Sequence, residues 1–174
     1  MAKVGQEVPA FGGKAVAPNG EFIEVRSSDY KGKWLVVFFY PLDFTFVCPT
    51  EIREFNKLYP KFREAGAEVI GVSTDSVYSH KAWCEQGLGR LSFPLLGDVN
   101  HSVSRTFDML VEDQGIALRG TFIIDPQGKL RSAVINDLSV GRSVEETLRT
   151  LQAFQTGELV QCGWQPGQAT LSKK

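Results

Sequence analysis

The feature that most constrains the fold is a run of seven apolar residues, Trp34 to Tyr40, in which aromatic and β-branched side chains predominate. An uninterrupted run of this kind predicts a strand that is buried on both faces of a sheet. A turn-forming stretch follows, and from position 48 onward apolar residues recur at helical spacing until a stop at Gly66. These apolar positions are Ile52, Phe55, Leu58, Tyr59 and Phe62. Cys48 is therefore expected within the first turn of a helix that follows directly on a buried strand.

Further patterns extend this unit into a sheet. The stretch Glu68–Thr74 predicts a second strand, and the order strand, helix, strand indicates a parallel βαβ unit. Asn19–Gly20 predicts the turn of an early hairpin, and Gly120–Ile135 predicts a late hairpin around a Pro-Gln-Gly turn. Ser143, with Glu146 three residues on, predicts a final helix that starts with a capping box. Together these elements predict an α/β fold of thioredoxin-like arrangement, with a central mixed sheet flanked by helices and an N-terminal hairpin extension.

Length and charge limit the organisation and the partners. A chain of 174 residues predicts one domain, which we place at residues 1–157, followed by a tail at 158–174 that carries Cys162. The net charge of −1, without runs of like charge, argues against nucleic acid or an acidic membrane as a partner. The first residues form no apolar signal region, and no apolar run approaches the roughly 18 residues of a membrane span. A cytoplasmic protein is expected.

Cys48 is the strongest candidate for chemistry. The first N–H groups of a helix have no partners within it, and the helix dipole adds partial positive charge there. Both effects stabilise a thiolate, so Cys48 is predicted to be reactive at neutral pH; the alternative is a small buried hydrophobe. Glu51 stands where a Cys-x-x-Cys motif needs its second cysteine, and Glu54 stands where a Cys-x5-Arg phosphatase loop needs its arginine. Neither His80 nor His101 is expected to act as a catalytic base.

The other cysteines and one arginine give weaker signals. Cys84, next to Trp83 in a predicted helix, is expected to pack rather than to react. Three scattered cysteines are too few for a disulfide framework or a four-ligand zinc site, and in a reducing compartment a disulfide is usually transient. Arg119 stands at the entry of the late hairpin, where a cation is ordinarily a solvated surface residue. The residues alone predict that role for Arg119.

Four stretches form a recognisable set of motifs. They are Pro41-Leu42-Asp43-Phe44-Thr45-Phe46-Val47-Cys48-Pro49-Thr50-Glu51, His80-Lys81-Ala82-Trp83, Arg119-Gly120-Thr121-Phe122-Ile123-Ile124-Asp125 and Val140-Gly141-Arg142-Ser143. This set resembles the peroxiredoxins of the two-cysteine type, close to the small subunit of bacterial alkyl hydroperoxide reductase and to the thioredoxin peroxidases. The resemblance extends from about Val4 to Gly167, which is nearly the whole chain.

The resemblance implies a thiol-dependent peroxidase that acts on hydrogen peroxide and organic hydroperoxides. The Cys48 thiolate would attack a peroxide oxygen and become a sulfenic acid. Thr45 would hydrogen-bond to the thiolate and the peroxide, and Pro41 would shield the pocket from water. Arg119 would keep the thiolate charged and stabilise the charge that develops as the O–O bond breaks. This reverses the surface role that the residues alone predict for Arg119.

The resemblance also implies supporting residues and partners. Glu51 and Arg142 would orient Arg119. Cys162 would resolve the sulfenic acid as a disulfide with Cys48 of the other subunit of a homodimer, and five dimers would form a ring. Thioredoxin or a flavoprotein disulfide reductase would then reduce the disulfide. No haem, metal or flavin is implied.

The segment around Cys162 departs from the family pattern. The stretch Gln161-Cys162-Gly163-Trp164 is about two residues shorter than the usual spacing between cysteine and tryptophan. A one-cysteine peroxidase with Cys162 as a bystander therefore stays open as an alternative. A ring-forming holdase chaperone, a binding function that the resemblance also implies, is a second alternative. The preferred peroxide, the reductant, the choice between dimer and decamer and any role of Cys84 are not determined by the sequence.

Overall fold

The computed structural model describes residues 1–172 and consists of nine strands and four helices within that range, together with short 3₁₀ and π-helical turns at Ser27–Tyr30 and Cys84–Leu88. The strands are β1 (Gly12–Val16), β2 (Phe22–Arg26), β3 (Trp34–Phe39), β4 (Ala67–Ser73), β5 (Leu95–Gly97), β6 (Leu110–Val111), β7 (Ile116–Ala117), β8 (Arg119–Ile124) and β9 (Leu130–Asn136). The helices are α1 (Cys48–Glu64), α2 (Val77–Trp83), α3 (Ser102–Thr106) and α4 (Val144–Gln155).

Seven strands form one mixed sheet in the order β2-β1-β5-β4-β3-β8-β9. The neighbours β3, β4 and β5 run parallel, and the remaining pairs are antiparallel. The predicted βαβ unit is confirmed, because α1 connects the parallel strands β3 and β4. The predicted thioredoxin-like α/β fold is likewise confirmed. The carboxyl end of β3, which leads to Cys48, lies near the middle of the sheet.

Burial of β3 on both faces is confirmed by the packing. Val36 and Phe38 belong to the hydrophobic cluster that contains α1, whereas Val37 and Phe39 belong to the cluster on the opposite face. The Phe38 ring stacks on Phe55 of α1, with centroids 4.2 Å apart. The helix that carries Cys48 is therefore fixed to the central strand by an aromatic contact.

The predicted N-terminal hairpin is confirmed, and because β1 pairs with β5, the hairpin continues the central sheet. Two other features differ from the sequence prediction. The two-residue strands β6 and β7 form a small hairpin that was not predicted. Only half of the capping box forms: Ser143 Oγ accepts from the Glu146 backbone N–H, while the Glu146 carboxylate pairs with Arg149 instead.

The described part of the tail is attached to the body of the protein. Trp164 is buried, and its carbonyl oxygen accepts a hydrogen bond from Arg149 Nη1 of α4 at 2.7 Å. Leu171 donates from its backbone to the Leu159 carbonyl oxygen at 2.8 Å, which closes the segment into a loop. The domain boundary at residue 157 stays a prediction. Within residues 1–172, no helix is long and apolar enough to cross a membrane.

Candidate active site

Cys48 occupies the first position of α1, as the sequence predicts, and its side chain is fully buried. Val47 precedes it as the N-cap residue and has no side-chain acceptor to offer the free N–H groups of the first turn. Pro49 takes the second helical position, where the absence of an N–H has no cost. The sulfur thus lies at the positive end of an uncapped helix dipole.

Arg119 joins Cys48 from the neighbouring strand. Its side chain is 5% exposed, so the surface role predicted from the residues alone is wrong. Nη1 donates to Cys48 Sγ at 3.4 Å and to Glu51 Oε2 at 2.8 Å, and Nε donates to the Leu138 carbonyl oxygen at 2.6 Å. Because β8 pairs directly with β3, the first residue of β8 reaches the helix that follows β3. The guanidinium is held by two oxygens while it contacts the sulfur.

Glu51 connects Arg119 to a second buried arginine. Arg142 donates to Glu51 Oε1 through its backbone N at 2.7 Å and through Nε at 2.8 Å, and Nη2 donates to Oε2 at 2.9 Å. Nη1 of Arg142 also donates to the Gly120 carbonyl oxygen and to Thr121 Oγ1 on β8. Of the predicted supporting pair, Glu51 therefore contacts Arg119 directly, and Arg142 contacts Glu51.

The electrostatics of the cluster favour ionised side chains. Burial alone would raise the pKa of Glu51, but hydrogen bonds from Arg142 and the charges of Arg142 and Arg119 outweigh it, so that the pKa lies below its ordinary value. Two buried guanidinium groups face one carboxylate. Arg119, Arg142 and Glu51 together therefore carry one net positive charge next to the Cys48 sulfur.

Pro41 and Thr45 lie in the loop between β3 and α1. Pro41 is buried directly after β3, and Thr45 is half-buried. The Thr45 hydroxyl donates to the Leu42 carbonyl oxygen at 2.9 Å, so its proton points to the backbone and not to Cys48. The hydroxyl oxygen keeps its lone pairs as acceptors for a donor that enters the site.

The other two cysteines differ in exposure. Both are free thiols; Cys162 is exposed in the tail, whereas Cys84 is half-buried. Burial, followed by the charges of Asp43 and Glu85, raises the pKa of Cys84 to about 11. Cys84 is therefore a neutral thiol at physiological pH. Among residues 1–172, no group of three or more His, Cys, Asp or Glu side chains is arranged to hold a metal ion.

Sequence reasoning missed two parts of the site. The Leu138 carbonyl oxygen, which fixes Arg119 Nε, is a backbone group without any sequence signal. Asp43 and His80 form a buried pair behind the loop that leads to Cys48. Both residues lie inside the motifs named above. The signal that could have identified Asp43 is that it is a charged residue in a largely apolar stretch.

A buried thiol at a helix start, next to a fixed guanidinium on a thioredoxin-like sheet, defines a cysteine-based oxidoreductase as the class of protein. Comparisons with known proteins identify the family within this class. The model of the AhpC/TSA family matches residues 4–133. Peroxiredoxin prdx-2 of Caenorhabditis elegans is 52% identical over 179 aligned positions, which cover 98% of this chain and 89% of that protein.

Solved structures agree with the sequence relatives. The reduced 2-Cys peroxiredoxin of Plasmodium vivax superposes with a TM-score of 0.94 at 37% identity, covering 97% of this chain and 92% of that one. AhpC of Enterococcus faecalis superposes with a TM-score of 0.88 at 40% identity, and the match covers 93% of this chain and 100% of that one. This chain belongs to the AhpC/TSA family and is a peroxiredoxin. It is accordingly an enzyme, a peroxidase among the oxidoreductases.

Proposed function

We propose that Cys48 is the residue that reduces the peroxide, with hydrogen peroxide and organic hydroperoxides as substrates. The observation that carries the proposal is the contact of Arg119 Nη1 with both Cys48 Sγ and Glu51. The sulfur attacks one peroxide oxygen, an S–O bond forms, and the O–O bond breaks. The leaving oxygen takes a proton and departs as water or an alcohol, and Cys48 becomes a sulfenic acid.

The neighbouring side chains act on this step in different ways. Arg119 stabilises the negative charge that moves from sulfur to the leaving oxygen, because its guanidinium is already oriented by Glu51 and Arg142. The Thr45 hydroxyl accepts a hydrogen bond from the peroxide O–H, since its own proton is engaged by the Leu42 carbonyl. Pro41 keeps water out of the pocket.

Cys162 then resolves the sulfenic acid. Its thiol attacks the Cys48 sulfur, an S–S bond forms, and the hydroxyl group leaves as water. The disulfide joins two subunits of a homodimer, which the resemblance to 2-Cys peroxiredoxins supports, and five such dimers form a ring. A dithiol donor, either thioredoxin or a flavoprotein disulfide reductase, restores both thiols. We place this cycle in the cytoplasm, where such donors are abundant.

A non-reducing gel after one equivalent of hydrogen peroxide tests the cycle. The unaltered protein should run as a covalent dimer, and Cys48→Ser and Cys162→Ser should both remain monomeric. Cys84→Ser is the matched control, because it removes a thiol outside the cycle, and it should dimerise like the unaltered protein. Covalent dimers that persist in Cys162→Ser would contradict the resolving role. Peroxide consumption that survives Cys48→Ser would contradict the proposed reactive residue.

A further inference from the structure

A buried polar cluster lies behind the loop that leads to Cys48. The carboxylate of Asp43, five positions before Cys48, accepts three hydrogen bonds, each 2.8 Å long. The donors are the Tyr40 hydroxyl at the end of β3 and, on α2, the Ser79 hydroxyl and His80 Nδ1. None of these three hydrogen bonds involves the Cys48 sulfur. We call this set (Tyr40, Asp43, Ser79 and His80) the loop clamp.

The clamp is buried, and its polar atoms face one another. His80 Nε2 lies 3.1 Å from the Leu96 carbonyl oxygen, and Nδ1 lies 2.8 Å from Asp43 Oδ2 and 3.3 Å from the Tyr40 hydroxyl. The side chains of His80 and Asp43 are 0% and 1% exposed. Separating the pair would therefore leave buried polar groups without partners, which is costly.

The clamp fixes a strained piece of backbone. The Asp43 backbone N–H donates to Asp75 Oδ2 at 2.9 Å, and Asp75 is itself held by the Ser73 hydroxyl at 2.7 Å. The next residue, Phe44, has φ +56°, in the left-handed region that residues other than glycine rarely adopt. Such a conformation persists only where the surroundings over-determine it. The loop would therefore relax if Asp43 left its site.

We propose that the Asp43–His80 pair is a positioning element for Cys48, which holds the Pro41–Val47 loop and the first turn of α1 in the arrangement that reacts with peroxide. This inference rests on the proposed function. Cys48 is fully buried, so it can meet Cys162 only after this first turn moves. The closed clamp favours sulfenic acid formation, and its opening permits disulfide formation. The two steps should therefore respond in opposite directions when the pair is broken.

Stopped-flow kinetics of Asp43→Asn and His80→Asn test the proposal. Sulfenic acid formation depends on peroxide concentration and should slow about tenfold, because Cys48 loses its alignment with Arg119. Disulfide formation is independent of peroxide concentration and should accelerate about threefold, because the loop opens more readily. The matched control is Leu130→Ala, which removes buried side-chain volume on β9 away from the loop and should leave this pattern unchanged.

Several results would overturn the proposal. The first is that Asp43→Asn and His80→Asn leave the rates of sulfenic acid formation and disulfide formation unchanged. The second is that both rates fall. The third is that Leu130→Ala also slows the first step and accelerates the second. If the Asp43 and His80 variants do not fold, Ser79→Ala decides, because it removes a single donor. In Ser79→Ala, a slightly slower sulfenic acid formation with a slightly faster disulfide formation supports the proposal. Unchanged rates of both steps overturn it.

The first step is also measured in a Cys162→Ser background, by trapping the sulfenic acid with dimedone. A slower first step there supports the clamp even if the gel shows no disulfide between Cys48 and Cys162. An unchanged first step overturns it. Failure of the clamp and failure of the resolving role are thus read from separate measurements.

Discussion

Glu51 is the residue on which the geometry around Cys48 depends most. Its carboxylate is the common acceptor for Arg119 and Arg142, and all three side chains are at most 5% exposed. Removing one partner of a buried ion pair costs about 3–5 kcal/mol, because the other charge stays buried without compensation. The carboxylate therefore holds together two cations that would otherwise repel each other beside the reactive sulfur.

Replacing Glu51 by Gln should slow the reaction of Cys48 with hydrogen peroxide by about 10- to 100-fold, because Arg119 loses the anion that aims it at the sulfur. The second-order rate constant from stopped-flow fluorescence measures the effect. Glu54→Gln is the matched control on the same helix, since Glu54 pairs with Lys57 outside the site, and it should react at the original rate. Equal rates in the two variants would mean that Arg119 needs no such anchor.

The lowered pKa of Glu51 also predicts how stability depends on pH. A carboxyl group with a lower pKa in the folded than in the unfolded state stabilises the protein above its ordinary pKa of 4.5, and this contribution is lost as the pH falls through the folded-state pKa. Urea unfolding at neutral pH and at successive values below 4.5 should show a smaller acid-induced loss of unfolding free energy in Glu51→Gln. Parallel losses in both proteins would contradict this assignment.

At the scale of elements, predictability followed the strength of the local pattern. The strand β3 and the helix α1 have long, regular apolar patterns, and the sequence alone predicts both. The strands β6 and β7 have two residues each, which is too short for any alternation to be detected. The position of β5 between β1 and β4 depends on pairing between segments distant in the chain, and no local pattern encodes it.

The same distinction applies to the candidate site. Cys48 is found from the physics of a helix start, which is a local property. Arg119 is misjudged by local reasoning because its partners lie 68 and 71 positions away, and only the family resemblance assigns its role. Arg142 meets Glu51 across 91 positions. Contacts between distant segments are set by the sheet order and are therefore invisible to a local pattern.

The start of α4 offers a prediction at this scale. Ser143→Ala should lower the free energy of unfolding by about 1 kcal/mol, because the Glu146 backbone N–H loses its acceptor. Chemical denaturation measures the difference. Ser28→Ala, at an exposed position in the turn after β2, is the control and should stay within about 0.5 kcal/mol of the unaltered protein. A loss no larger than the control's would mean that the cap contributes little.

At the scale of the whole molecule, the tail connects the exposed Cys162 to a buried anchor. Trp164 is 5% exposed and follows Cys162 by two positions, so their Cα atoms lie at most about 7 Å apart. While the indole stays buried, Cys162 can therefore move only a short distance. We predict that disulfide formation with a partner subunit releases Trp164 and its hydrogen bond from Arg149.

Oxidation should consequently change the emission of Trp164. One equivalent of peroxide should shift the fluorescence of the unaltered protein to longer wavelength, because the indole passes from a buried site into water. Trp34→Phe, which removes a tryptophan at the start of β3, should show the same shift, whereas Trp164→Phe should show a smaller one. A shift of unchanged size in Trp164→Phe would assign the change to Trp83, which packs against Phe44, and would contradict the release of Trp164.

The separation of Cys48 from Arg119 along the chain has a consequence for protein synthesis. At about 5–20 residues per second, the ribosome adds the intervening 71 positions in roughly 4–14 s. During those seconds the nascent chain carries a cysteine without its cationic neighbour. We therefore expect Cys48 of the growing polypeptide to react with peroxide no faster than an ordinary cysteine until Arg119 has been added.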